Sequence, residues 1–85
     1  MSQLEKAIER LKACPKDYTY EEASALLSKL GFIQSNKGKT SGSRVCFFRE
    51  KDGEKILLHK PHPQSTMRTY AVKDLRDYLT EIGEI

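Results

Sequence analysis

An Asp52-Gly53 pair sits between two apolar runs, Val45-Cys46-Phe47-Phe48 and Ile56-Leu57-Leu58, an arrangement that is among the strongest short-range signals for a β-hairpin. Asp-Gly supplies the positive backbone angle a tight turn needs. The segment Lys51-Asp52-Gly53-Glu54 is therefore predicted to reverse the chain between a strand from Arg44 to Arg49 and another from Ile56 to His59. Alternation along the first strand puts Val45 and Phe47 on one face and Cys46 and Phe48 on the other. A run that is apolar at every position suits a central strand with both faces at least partly covered.

The elements around this hairpin follow from periodicity. Leu4, Ala7, Ile8 and Leu11 recur at helical spacing and Pro15 ends the pattern, which predicts a short amphipathic helix suited to a lid or an oligomer contact. Thr19 precedes Glu22 by the capping-box interval, and Ala23, Leu26, Leu27 and Leu30 form one stripe before Gly31, so residues 20–30 form a second helix. Phe32 and Ile33 open a strand that gives way to the polar, glycine-containing stretch from Ser35 to Gly42, which has loop chemistry. Lys60-Pro61-His62-Pro63 cannot continue a sheet ladder, because proline lacks the donor. Beyond it Thr69 can cap a last helix carrying Val72, Leu75, Leu79 and Ile82 on one stripe, with Tyr78 flanking and Gly83 ending it. The predicted order is α-α-β-β-β-α. Its economical packing is an α+β fold with a three-stranded antiparallel sheet and the helices on one face.

Eighty-five residues allow one domain with one modest core. No apolar run reaches the roughly 18–20 residues of a membrane span, and the first residues lack a basic-then-apolar secretory pattern, so a cytoplasmic protein is expected. Cys14 and Cys46 lie far apart without metal-ligand spacing and are expected to be reduced and structural. The net charge of +3 is unevenly distributed: residues 1–30 carry five basic and five acidic side chains, residues 31–73 nine and three, and residues 74–85 one and four. A basic centre favours polyanions, because each Lys or Arg that neutralises a phosphate releases a counterion. The plainer alternative is a solvated charged face.

Several chemistries are excluded. There is no glycine-rich nucleotide fingerprint, no His-Glu-x-x-His and no paired cysteines. His59 and His62 lack the third ligand and the helical geometry of a metal site, so no metal and no cofactor are expected. What remains is a cluster: Arg44 and the region His59 to His62 are about equidistant from the Asp52-Gly53 turn, and should meet at one end of the sheet. Lys37, Lys39, Ser43, Lys60 and Arg68 would surround them. A guanidinium holds a phosphate through two hydrogen bonds and an imidazole moves a proton near neutral pH, which suits contact with an RNA backbone or attack by its own 2′-hydroxyl. Taken alone, the pattern gives a binding module, and basic loops on small domains commonly serve only solubility.

From Tyr20 to Ile85 the chain resembles the HicA family, the toxin partners of HicB in toxin–antitoxin pairs. The resemblance rests on Leu26-Leu27-Ser28-Lys29-Leu30-Gly31-Phe32, the Gly42-Ser43 strand start, the segment Ile56-Leu57-Leu58-His59-Lys60-Pro61-His62-Pro63 and the closing Tyr70-Ala71-Val72-Lys73-Asp74-Leu75. It implies a fold like that of double-stranded-RNA-binding domains over residues 19–85, preceded by an additional helix and linker over residues 1–18. It also implies metal-independent mRNA cleavage that a HicB-like antitoxin blocks. Members that cleave RNA usually have histidine directly after the Gly-Ser pair, where this chain has Arg44. Three readings follow: an endoribonuclease in which His62 or His59 supplies the base and Arg44 steadies phosphate charge, an RNA-binding domain that does not cut, and a module for a protein partner alone.

Overall fold

A computed structural model describes residues 2–35, 44–59 and 66–85. Its elements run α1 (Gln3–Ala13), α2 (Tyr20–Lys29), β1 (Ile33–Ser35), β2 (Arg44–Arg49), β3 (Glu54–His59) and α3 (Thr69–Glu81). This is the expected α+β order, with an antiparallel sheet in the order β1-β2-β3 and the helices on one face. β2 is the central strand. The register pairs Val45 with Leu58 and Phe47 with Ile56 on the face turned to the helices, and Cys46 with Leu57 on the other.

Phe47 and Leu58 are buried with Leu26 and Leu27 of α2 and Val72, Leu75 and Leu79 of α3, so the sheet and both helices share one core. Each fully buried aliphatic or aromatic side chain of this kind stabilises the fold by about 1.5–3 kcal/mol relative to exposure. The sequence stripe of α1 proves to be covered by its own chain. Leu11 is fully buried in that core, and Leu4, Ala7 and Ile8 are packed against it. Ser2 caps α1 by accepting the Glu5 amide, and Pro15 follows the left-handed residue Cys14 that ends it.

The C-terminal ends of α2 and α3 are built alike. After α2 the Phe32 amide donates to the Leu27 carbonyl and that of Gly31 to Ser28; after α3 the Glu84 amide donates to Leu79 and that of Gly83 to Thr80. These are Schellman ends, and they require the positive φ of 96° at Gly31 and 82° at Gly83. Both ends converge on Arg49, which is only 4% exposed. Its guanidinium donates to the Leu30 carbonyl at 3.1 Å, to Glu84 at 2.6 Å and to Asp52 at 3.1 and 2.6 Å, and lies over the Phe32 ring. A cation at two helix C-termini is also favoured by their dipoles. Nearby, the Tyr78 hydroxyl donates to Glu54 at 2.6 Å, fastening α3 to the start of β3.

Three expected boundaries move by a residue or two. β1 begins at Ile33 because Phe32 is taken by the helix end, β3 begins at Glu54 because the turn is tight, and α3 is capped at Arg68 with Thr69 already helical. The expected capping role of Thr69 is therefore wrong, and Arg68 itself has no side-chain oxygen to offer. At the other helix, Thr19 does cap α2, accepting from the Glu22 amide at 3.1 Å.

Candidate nucleic-acid interface

The antiparallel hairpin runs through six residue pairs from Arg49 and Glu54 beside the turn to its far end, where the Cα partners are Arg44 and His59. Strand geometry puts that end about 17 Å from Arg49. The alternation that turns Val45 and Phe47 inward leaves register positions 44 and 59 on the outward set, opposite the helices. His59 is exposed, and its imidazole makes no hydrogen bond or ion pair with another described residue. A solvent-facing imidazole at a strand end, across from an arginine position, can meet a ligand from outside.

Arg68 stands elsewhere, at the N-cap of α3. It is exposed and no side chain caps the helix, and the first turn holds no acidic residue. The amides of that turn, beyond the few that bond internally, therefore present partial positive charge where Arg68 adds a full one, a combination that attracts phosphate or carboxylate. The segment leading into it is held in place: Thr66 bridges Thr19, and the Met67 amide donates to the Tyr18 carbonyl at 2.8 Å. α2 begins at the same place, but Glu21 and Glu22 offset the positive end of its dipole.

Of the sequence-derived candidates, the structure thus brings the Arg44 and His59 positions together and sets Arg68 at a helix start. Lys37, Lys39, Ser43, Lys60 and His62 lie outside the described residues. Arg49 leaves the basic centre in which the charge count had placed it. Its three-sided hydrogen bonding raises its pKa further, chiefly through Asp52, and commits the charge to holding the fold. The same ion pair holds the Asp52 carboxyl below its ordinary range. The open cap at Arg68 was missed by sequence reasoning. Its signal was there in the lack of Asp, Ser or Asn before Thr69 and of any acid in Tyr70-Ala71-Val72.

Comparison with known proteins adds one finding. A family model described as the HicA toxin of bacterial toxin-antitoxin matches residues 20–83, which is 64 of the 85 residues. The match starts at the first residue of α2, includes the sheet and α3, and leaves α1 outside. No curated protein and no solved structure matches the chain.

Proposed function

The chain belongs to the HicA toxin family, and on that premise we propose that it is a cytoplasmic RNA-binding toxin that cleaves mRNA without a metal and is neutralised by a HicB-type antitoxin. The observation that carries the proposal is the pairing of Arg44 with His59 at the open end of the hairpin. An RNA phosphate seated there is held by the guanidinium and by the lysines on either side in sequence, Lys39 and Lys60. His59 or His62 takes the proton of the neighbouring 2′-hydroxyl, and its oxygen attacks phosphorus. The bond to the 5′-oxygen breaks, and that oxygen receives a proton from the second imidazole or from water. The products are a 2′,3′-cyclic phosphate and a 5′-hydroxyl end. Arg44 opposes the negative charge that builds on the phosphoryl oxygens during the step, a role whose loss typically costs about 100–1,000-fold in rate. In this reading residues 19–85 form the toxin domain and α1 is an addition to it.

A second reading is favoured by one residue. The position after Gly42-Ser43 carries arginine, which binds phosphate well and is a poor proton acceptor at neutral pH. In that case the protein holds RNA and does not cut it.

Both are tested with purified protein and a labelled mRNA fragment. Cleavage is expected to yield 5′-hydroxyl ends, to stop when the scissile nucleotide is 2′-deoxy, and to fall about 100-fold or more in Arg44→Ala and in one of His59→Ala or His62→Ala. Wild-type protein that binds the fragment and leaves it whole would establish the second reading, with affinity that weakens as salt rises. Absence of both cleavage and salt-sensitive binding would overturn the two together.

A further inference from the structure

α1 and α2 face each other across an open groove of about 300 Å³. Its walls recur at helical spacing, with Lys6, Ala7 and Arg10 on α1 and Glu22, Ala25 and Lys29 on α2. The two alanines leave the space and the longer side chains wall it. Tyr18, from the linker between the helices, lines it as well. The family match begins at Tyr20, so Tyr18 and the whole α1 wall precede it.

Tyr18 is the unusual member. Its side chain is 1% exposed, and its hydroxyl is buried with no hydrogen-bond partner among the described residues. A buried polar group left in that state lowers stability and calls for a partner. Glu22 and Arg10, which also line the groove, are the two charges that act on this hydroxyl, so it lies on the groove side. Burial, and then Glu22, push it up to about 12, and at neutral pH it has a proton to donate. The other unused groups are donors too. Arg10 gives Nε to Glu22 at 2.8 Å and Nη2 to Asp17 at 3.2 Å, which leaves Nη1 without a partner among the described residues. Lys6 and Lys29 are exposed and form no ion pair with another described residue.

We propose that the groove between α1 and α2 binds a small organic carboxylate, its acidic head held by Arg10 and the Tyr18 hydroxyl and its apolar body lying between Ala7 and Ala25. Unmatched donors over mostly apolar walls suit acceptor oxygens on a short apolar body. Arg10 already holds one carboxylate there, that of Glu22. Lys6 and Lys29 offset the charge of Glu22 toward a second. Entry needs only a side-chain movement: Arg10 lies over the Tyr18 ring, 5.9 Å from its centroid, tied by exposed ion pairs of a kind that is weak. A carboxylate that replaces Asp17 or Glu22 on Arg10 draws the guanidinium off the ring and opens a path to the hydroxyl. The volume is at the small end of ligand sites, which span about 300–1,000 Å³, and has room for one or two rings and not for a polymer. The Arg44 and His59 positions are on the sheet face turned away from both helices, so this site stands whether or not the protein cleaves RNA.

The test titrates the full isotope-labelled chain with naphthoate and follows its amide resonances. Naphthylmethanol, which has the rings without the charge, and inorganic phosphate, which has charge without the rings, are run beside it. Naphthoate is expected to saturate with a Kd on the order of 1 mM or below, to move the signals of Arg10, Tyr18 and Ala25, and to raise the melting temperature. The two controls should bind at least about 10-fold more weakly. Tyr18→Phe should weaken naphthoate about 10-fold while the melting temperature of the free protein stays the same or rises, because the hydroxyl removed has no partner to lose. Ala25→Leu, at an exposed helical position that tolerates leucine, should fill the groove and abolish measurable binding. No saturable shift, or equal binding of either control, would overturn the site. Unchanged affinity in Ala25→Leu would overturn its place, and unchanged affinity in Tyr18→Phe would overturn the part given to the hydroxyl. Should Tyr18→Phe fail to fold, the premise of an unpartnered hydroxyl fails with it.

Discussion

The two faces of the sheet are made from the same two apolar runs and have opposite fates. Inward, Phe47 and Leu58 are buried under α2 and α3; outward, Ile33 and Leu57 stand more than half in solvent. Both sets have the strand-forming side chains, and what separates them is only the parity of the register. The comparison teaches that hydrophobicity in a strand does not by itself indicate core. In a three-stranded sheet with helices on one side, half of the apolar positions are available for something other than stability.

The largest expected effect sharpens this contrast directly. Phe47→Ala should cost about 3–5 kcal/mol, whereas Leu57→Ala, half a pleat away, should stay within about 0.5 kcal/mol. Urea denaturation of the two variants measures both, and comparable losses would show that the outward face is covered in the isolated protein. Next in size is Leu11→Ala. This residue lies outside the family match yet is fully buried, so a loss of about 2–4 kcal/mol is expected, and a negligible loss would make α1 a loose addition.

The smallest effect concerns the tie between α3 and β3. Burial, and then the hydrogen bond to Glu54, push the Tyr78 hydroxyl up to about 12, and burial pushes Tyr18 to about 12 as well. A tyrosine that keeps its proton longer in the folded state stabilises it fully below about pH 10, and loses that contribution as pH rises toward 12. The urea midpoint of the wild type should therefore fall between pH 10 and 12. Tyr78→Phe should lose about 1 kcal/mol at pH 7 and fall less steeply above pH 10, because one of the raised tyrosines is then gone while Tyr18 and Tyr20, both raised by burial, remain. An identical alkaline slope in the two proteins would place the titrating group elsewhere.

How much of this was readable beforehand differs by residue. The hairpin was legible because Asp52-Gly53 fixes the turn, and fixing the turn fixes Arg44 against His59. The stripes of α2 and α3 were legible because Leu26, Leu27, Val72, Leu75 and Leu79 repeat with the helical period. Arg49 was misassigned because charge was counted and parity was not. Position 49 follows 45 and 47 on the inward set, and only a tertiary partner such as Glu84, remote in sequence, makes a buried guanidinium tolerable. The fate of α1 was hidden for a related reason, since a helical stripe shows that something covers it and not what. Of the candidate site, the strand-end pair follows from the hairpin, while His62 and the lysines at 37, 39 and 60 lie in segments outside the described residues.

Arg49 has one more consequence. Its bonds reach Leu30 and Glu84, 19 and 35 residues away in the chain, and so join two helix ends and a turn that would otherwise fray one at a time. Local opening there must release all three at once, so amide exchange at Phe32 and Glu84 should proceed as a single slow event. The opposite end of the hairpin has no such clasp among the described residues. Rigidity is thereby concentrated at the turn end of the hairpin, where two helix ends and a turn share one guanidinium.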